Sequence, residues 1–321
     1  MNLQNKKAEF LLLNPRYTQT SMAYFLPLSA KELRRYKTVL NWDAVSVNQA
    51  IPWSAEVLEE FQDVLSFDKG DEFALINTNE KLPWSIEFIE NFRNSWDWEI
   101  LSQNRAVIEN SDIRRYFLLQ LEPYLSENPE VEDDEIFDEL ERNLHTTNKF
   151  IEYQISTEKE IEQNTNLKFS LLSSNEYLPW SGELISKYAE KWDWDMLSLN
   201  PSLPWTIDLI EQFESKWCWG GEICDINGFT KYECGLSGNP GLPWSYNLIE
   251  RFKNKFDGFT LSFNSEIKWD IEMLTEFKYL LDLQQLGYNK HLWNTVFKEF
   301  NQLEIASDIL GKMSDDNDVY C

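Results

Sequence analysis

The sequence is short of histidine, glycine and basic side chains for its length. Its 321 residues include two His, eleven Gly and 29 Lys and Arg, against 55 Asp and Glu, which gives a formal net charge of −26. Because such a surface repels phosphate, the composition argues against a nucleic acid or an anionic membrane as the partner. Two histidines also leave few natural candidates for general acid–base chemistry.

Signals for secretion, membrane insertion and the common catalytic chemistries are missing as well. The longest early apolar run, residues 10–13, is much shorter than the apolar part of a signal peptide, and no stretch could span a bilayer. The four Cys have no regular spacing, which favours a reducing compartment, so we expect a cytoplasmic protein. There is no G-x-S-x-G, H-E-x-x-H, Walker or G-x-G-x-x-G motif, and we expect neither a cofactor nor an enzymatic activity.

What the sequence does have is apolar and aromatic side chains in a regular order. It is 42% hydrophobic and 15% aromatic with 14 Trp, which is far too rich for a disordered chain. Trp180 and Trp205 are 25 residues apart, as are Trp244 and Trp269. Each of the first three belongs to a phrase Leu-Pro-Trp-Ser or a close variant, which occurs at 51–54, 82–85, 178–181, 203–206 and 242–245. This spacing predicts tandem repeats of about 25 residues.

Further landmarks keep the same register. Twelve residues after the Trp or its equivalent comes a large apolar residue: Leu40, Leu65, Trp96, Trp192, Trp217, Phe256 or Leu281. Two residues later comes an aromatic one (Trp42, Phe67, Trp98, Trp194 or Trp219), a pattern that Gly258 and Leu283 break. A phrase Leu-Ser-x-Asn follows at 101–104, 197–200, 236–239 and 261–264, and it also occurs at 172–175.

Each repeat is predicted to form two short helices. Proline fits a helix start, the following Ser or Thr can cap it, and an acid in the first turn suits the helix dipole. Asp97, Asp193 and Asp257 are placed to cap the second helix, which ends near the Asn. A pair of such helices cannot bury its own apolar face, but stacked pairs can. We therefore predict an all-α solenoid of roughly eight or nine repeats with an acidic helical insertion.

The predicted organisation has three parts. Residues 1–121 hold the N-terminal repeats, 122–165 an acidic insertion, and 166–321 the C-terminal repeats and a terminal cap. Between residues 130 and 141 there are eight acids and no basic residue, which is more charge than a helical fold requires.

The phrases LPWS, WDWEILSQN and WDWDMLSLN resemble the tandem Trp-rich repeats of uncharacterised bacterial and giant-virus proteins, with repeats of the form LPWS…WDWxxLSxN. The resemblance covers about two-thirds of the chain and is missing mainly from 105–165 and the C-terminal end. It implies the repeat architecture, and no activity is attached to it.

Several chemical interpretations stay open beside the structural ones. The Trp side chains could form a ladder for stacking a sugar, although their fixed register favours a core role, in which Trp194→Ala should cost about 3–5 kcal/mol. The repeated acids could form a pair for glycoside hydrolysis, although their positions suit helix starts. Cys218, Cys224 and Cys234 are weak candidates for zinc, without a C-x-x-C knuckle. A Cys–His pair with His145 or His291 has no local signature.

The leading functional hypothesis is non-catalytic binding of a basic protein, in particular neutralisation of a toxin by an immunity protein or antitoxin. A structural scaffold and a carboxylate-dependent hydrolase are the alternatives. The predicted contact residues are the acids of the insertion: Glu130, Glu132, Asp133, Asp134, Glu135, Asp138 and Glu139.

Overall fold

A computed structural model describes residues 2–67, 76–101, 104–116, 169–224, 230–233 and 235–317, which are predominantly helical. Up to residue 116 the elements are α1 (Leu3–Leu13), α2 (Pro15–Phe25), α3 (Ala30–Arg35), α4 (Trp42–Ser46), α5 (Ala55–Glu60), a 3-10 turn η1 (Ile76–Thr78), α6 (Ile86–Asn91), α7 (Trp98–Leu101), α8 (Arg105–Ile108) and a helical stretch at 111–116. From residue 169 onward they are α9 (Phe169–Ser173), α10 (Gly182–Lys187), α11 (Trp194–Leu199), α12 (Ile207–Gln212), β1 (Gly221–Cys224), β2 (Thr230–Glu233), α13 (Gly235–Gly238), α14 (Tyr246–Phe252), α15 (Gly258–Phe263), α16 (Ile271–Phe277), η2 (Lys278–Leu280), α17 (Leu283–Leu286), α18 (Lys290–Thr295), η3 (Lys298–Asn301) and α19 (Leu303–Asn317).

The chain divides into two compact units that do not follow its linear order. Among the described residues, the first compact unit takes in 2–17 together with 169–298, and the second takes in 18–116 together with 299–317. In the first, α1 packs on α16. In the second, the Tyr36 hydroxyl donates to the Ser307 carbonyl at 3.4 Å. The predicted boundaries at 121/122 and 165/166 lie outside the described residues.

The local signals for helix starts are confirmed. In the pair formed by α10 and α11, the Ser181 hydroxyl accepts the N–H of Leu184 at 3.1 Å, and Asp193 accepts that of Met196 at 3.1 Å. Asp97 and Asp257 cap in the same way, as do the Ser or Thr of the other Leu-Pro-Trp-Ser phrases: Ser54, Ser85, Thr206 and Ser245.

The prolines of the Leu-Pro-Trp-Ser phrases do not start the helices, and in this respect the prediction was wrong. Pro179 precedes the capping Ser181 by two residues, and the Trp180 N–H donates to the Leu178 carbonyl across it at 2.7 Å. This bond closes a three-residue turn whose middle residue suits the fixed φ of proline. The turn brings the chain from the end of one helix pair into the start of the next.

Successive helix pairs are joined by buried asparagines. Asn200 Nδ2 donates to the carbonyls of Ser173 (3.0 Å) and Asn175 (3.2 Å) in the preceding pair, and its Oδ1 accepts the N–H of Ser202 (2.9 Å). Buried side-chain donors to a preceding pair recur along the chain, and together with Asn200 they form what we call the asparagine ladder: Asn48, Asn79, Asn104, Asn239, Asn264 and Asn289. Because buried polar groups must be paired, each of these side chains fixes the register between neighbouring pairs.

Serines of the Leu-Ser-x-Asn phrases make the return connection at Ser173, Ser198 and Ser237. The Ser198 hydroxyl donates to the Trp194 carbonyl at 2.6 Å and accepts the N–H of Cys218, in the next pair, at 2.9 Å. Ser173 makes the equivalent contact with the N–H of Asp193 at 3.0 Å. Each helix pair in this part of the chain is therefore bonded both to the pair before it and to the pair after it.

The insertion after Trp219 departs from the helix-only expectation. Strands β1 and β2 pair antiparallel, with Gly221 opposite Glu233 and Cys224 opposite Thr230. The Leu236 N–H donates to the Cys218 carbonyl at 2.9 Å, so the hairpin leaves and rejoins the helical fold at one place. Gly235, at φ 44°, allows this return, since an added Cβ would lie 2.6 Å from the Cys218 carbonyl oxygen.

Gly258 breaks the aromatic pattern for a steric reason. A Cβ on Gly258 would lie 2.2 Å from the Leu280 carbonyl oxygen, whereas a Cβ on Gly182 would have no atom within 4 Å. We expect Gly258→Ala to lower the free energy of unfolding by about 1–3 kcal/mol through overpacking. The matched variant Gly182→Ala lies in a helix and should be neutral or stabilising by up to about 1 kcal/mol. Urea denaturation of both variants measures this, and shifts of equal sign and size would contradict the contact.

Candidate binding surface

The predicted contact residues of the acidic insertion, from Glu130 to Glu139, lie outside the described residues. His145 and Cys234 also lie outside them, as does the side chain of Cys224, so the Cys–His and zinc interpretations keep only Cys218 and His291 in the described part. Within that part, no three His, Cys, Asp or Glu side chains gather into a group that could hold a metal ion. The backbone of Cys218 joins helix pairs, and His291 is half-buried in α18.

The tryptophans of the Leu-Pro-Trp-Ser phrases are each bonded to the carbonyl of an asparagine five residues earlier, which in most cases belongs to the asparagine ladder. Trp205 Nε1 donates to the Asn200 carbonyl at 3.0 Å, and Trp244 Nε1 donates to the Asn239 carbonyl at 2.9 Å. Trp53, Trp84 and Trp180 donate in the same way to the carbonyl five residues before them. The indole N–H therefore closes the turn between one helix pair and the next.

Other tryptophans of the pattern whose side chains the structure describes fill the space between helix pairs. Trp217 is 4% exposed, and its ring centroid lies 5.0 Å from that of Trp205 and 4.7 Å from that of Trp194. Trp96, Trp192 and Trp217 donate to the carbonyl seven residues earlier, and Trp42, Trp194 and Trp219 to the carbonyl five residues earlier. Ring edges and faces are thus used within the fold, which favours the core interpretation over a ligand-stacking ladder.

Trp269 provides a test of the value of these indole bonds. Its Nε1 is buried without a hydrogen-bond partner among the described residues, although it occupies the same register as Trp205. Trp205→Phe removes a made hydrogen bond, whereas Trp269→Phe removes a buried donor that has no partner. We expect Trp205→Phe to cost about 1–2 kcal/mol more, because the loss of ring volume is the same in both. Equal costs in urea denaturation would contradict this.

The repeated acids in the first turns belong to helix starts. Glu32 accepts the N–H of Ser29 at 2.9 Å and also bonds the Ser29 hydroxyl, which lowers the pKa of the Glu32 carboxyl. The Ser54 side chain likewise lowers the pKa of Glu56. A glycosidase general acid needs a raised pKa, so these shifts have the opposite direction.

Basic side chains on the first helix of a helix pair, or on the turn after it, form ion pairs with carboxylates of the neighbouring helix pair. Lys216 Nζ lies 3.0 Å from Glu190 Oε1, and Lys37 Nζ lies 2.9 Å from Asp63 Oδ2. Arg34 pairs with Glu60 and Arg251 with Glu211 in the same manner. These exposed pairs contribute little stability each, but they neutralise basic groups that a partner would otherwise meet. Other acids, including Asp195 and Asp208, are exposed at the first turns of α11 and α12.

Comparisons of the whole chain gave no relative: no family model, no curated protein and no solved structure matches it. In the described part of the chain, no helix combines the length and the apolar character needed to cross a membrane.

Proposed function

We propose that this chain is a non-catalytic protein-binding repeat protein, a helical solenoid that captures a basic protein partner. The observation that carries the proposal is that polar and aromatic side chains of the repeats bond within the fold, whereas many acidic side chains are exposed. Among the described residues, the ladder asparagines and serines such as Ser198 bond neighbouring helix pairs, and indole groups such as that of Trp205 donate within the fold. The chain nevertheless has 26 more acidic than basic residues, and acids such as Asp195 and Asp208 are exposed.

The solenoid part of the proposal is supported by the register of the ladder bonds. Where no insertion intervenes, each ladder asparagine donates to a carbonyl 25 or 27 residues earlier, as Asn200 does to Asn175 and Ser173. In the first compact unit, each of the short helices α9, α11, α13, α15 and α17 packs on the next. Stacking of this kind produces an extended surface suited to macromolecules, and the resemblance to tandem Trp-rich repeats agrees with it.

The partner part of the proposal is supported by charge. An acidic surface accelerates the encounter with a basic protein and makes its capture sensitive to salt. Neutralisation of a basic toxin, as by an immunity protein or antitoxin, is the specific role that we assign to this capture. We place its encounter surface in the acidic insertion, at Glu130, Glu132, Asp133, Asp134, Glu135, Asp138 and Glu139.

The proposal predicts that one basic protein is captured from the native host and that the insertion speeds its association. Changing Glu132, Asp133, Asp134 and Glu135 together to their amides should slow association about tenfold at low salt and flatten its salt dependence, with thermal stability unchanged. Stopped-flow or surface-based kinetics with the captured partner measure both.

A control variant changes the same charge elsewhere: Glu59→Gln, Glu176→Gln, Asp195→Asn and Glu266→Gln together, all of them exposed. It should slow association less than the insertion variant. Equal slowing would assign the effect to overall charge, and unchanged kinetics in the insertion variant would remove the insertion from the contact surface. Capture of several unrelated proteins would favour a scaffold, and capture of none would contradict the proposed function.

A further inference from the structure

Helices α1 and α16 of the first compact unit enclose a groove of about 450 Å³. Its floor and walls include the apolar side chains of Phe10, Leu13 and Ile271. Its rim carries the charged side chains of Lys6, Glu9, Glu272, Glu276 and Lys278. An apolar floor between two helices with a charged rim is the arrangement that receives an amphipathic helix.

Three exposed large side chains lie on this groove or next to a residue that lines it. Leu13, on its wall, is 66% exposed, and Tyr279, next to the rim residue Lys278, is 65% exposed. Tyr246 is 45% exposed and donates through its hydroxyl to Glu276 Oε1 at 2.8 Å. Exposed large apolar side chains that gather at one place beside polar groups mark interaction sites, whereas scattered ones need no explanation.

The groove is held in shape by contacts beneath and beside it. Phe10 lies with its ring centroid 5.7 Å from those of Tyr17 and Phe297, and Asn14 Nδ2 donates to the Phe10 carbonyl at 2.6 Å. Across one edge, Lys6 Nζ lies 3.0 Å from Glu272 Oε1. The ring contacts fix α1 on the residues beneath it, and the Lys6–Glu272 pair joins α1 to α16.

We propose that this groove binds a basic amphipathic helix of the protein partner, with apolar side chains against Phe10, Leu13 and Ile271 and basic side chains toward the rim. The charge of the rim selects the occupant. The groove is lined by three carboxylates and two ammonium groups. Lys6 pairs with Glu272, so the remaining charges are those of Glu9, Glu276 and Lys278, which sum to −1. The field of the whole acidic chain acts in the same direction. This inference rests on the proposed function and identifies the surface that anchors the partner after encounter.

The test uses a synthetic peptide of leucine and lysine, about four helical turns long, with leucine at helical spacing i, i+3, i+4 and i+7. A sequence-scrambled peptide of the same composition has the same charge without the apolar stripe. By fluorescence anisotropy with the full chain, we expect the amphipathic peptide to bind at least tenfold more tightly than the scrambled one. Leu13→Ser should remove most of this difference, and Glu9→Gln with Glu276→Gln should weaken its salt dependence.

Tyr177→Ser is the matched control, because Tyr177 is 88% exposed and does not line the groove. It should bind the peptide as the parent does, and thermal melting of both variants checks that neither has lost its fold. Equal binding of the two peptides, or parent-like binding by Leu13→Ser, would overturn the groove assignment.

The two proposals can fail separately. If a basic host protein is captured equally by the parent and by Leu13→Ser, the groove is wrong and the proposed function stands. If the peptide behaves as expected and no basic host protein is captured, the groove is supported and the proposed function fails.

Discussion

Asn239→Ala should lower the free energy of unfolding by about 3–5 kcal/mol. Asn239 is 1% exposed, its Nδ2 donates to the Ser198 (2.8 Å) and Asn200 (3.2 Å) carbonyls, and its Oδ1 accepts the Gly241 N–H at 2.7 Å. Alanine removes all three hydrogen bonds. Each buried carbonyl or N–H that is left without another hydrogen-bond partner then costs about 1–3 kcal/mol. The cost stays near the lower end for Asn200, because its carbonyl also accepts Trp205 Nε1. Chemical denaturation followed by Trp fluorescence measures the loss.

Two further variants separate the ladder from a general effect of mutation. Asn254 is exposed, so Asn254→Ala should change the free energy of unfolding by less than about 0.5 kcal/mol. Asn239→Asp keeps the shape and the acceptor but turns an oxygen toward two carbonyls, so at neutral pH it should destabilise more than Asn239→Ala. If aspartate is tolerated as well as asparagine at 239, the side-chain amide is not the donor that the geometry indicates.

The asparagine ladder shows which features could be predicted from the sequence and which could not. The phrase Leu-Ser-x-Asn predicted that the second helix ends near the asparagine, and α11 and α15 do end at the residues directly before Asn200 and Asn264. That these asparagines bond the preceding helix pair depends on which pairs are neighbours in space, and the phrase alone does not carry that information.

The phrase Leu-Ser-x-Asn does not predict three of the ladder positions, because other residues precede the asparagine there. Asn48, Asn79 and Asn289 lie in 45–48, 76–79 and 286–289, where the Leu-Ser start has changed. The return contact is kept at two of them: the Ser46 hydroxyl accepts the N–H of Ser66 at 2.9 Å, and Asn77 Oδ1 accepts the N–H of Asp97 at 3.0 Å. An Asn five residues before each Leu-Pro-Trp tryptophan was the signal that could have found two of these positions.

The packing of helix α1 against α16 could not be predicted from the sequence. Helix α1 carries no recognisable part of the repeat, and its contact partner Glu272 lies 266 residues after Lys6. Periodicity reports which face of a helix is buried, but a contact of such long range leaves no periodic trace in a single sequence. The groove beside this contact was therefore beyond sequence reasoning, as was the half-buried state of Trp194, since a fixed register does not give the depth of a side chain.

Trp217→Ala should lower the free energy of unfolding by about 3–5 kcal/mol, the cost of a large cavity in a packed core. The Trp217 side chain is 4% exposed, touches the rings of Trp194, Trp205 and Phe213, and donates to the Ile210 carbonyl at 3.1 Å. Alanine therefore removes buried apolar area, ring contacts and one hydrogen bond together. Urea denaturation of the purified variant gives the value.

Trp194→Ala is the comparison that tests whether depth or register sets the cost. Trp194 has the same kind of ring contacts, 4.9 Å to Phe213 and 4.7 Å to Trp217, but it is only half-buried, so the 3–5 kcal/mol predicted from its register is too high. We expect a loss about 1–2 kcal/mol smaller than for Trp217→Ala, because less apolar area leaves water in the folded state. In the double variant the two losses should sum to more than the measured total by about 0.5–1.5 kcal/mol, the contribution of the ring pair that each single variant already removes. Additive losses would place the two rings out of contact, and a Trp194→Ala loss as large as that of Trp217→Ala would mean that the helix pairs close over Trp194 more fully than its exposure indicates.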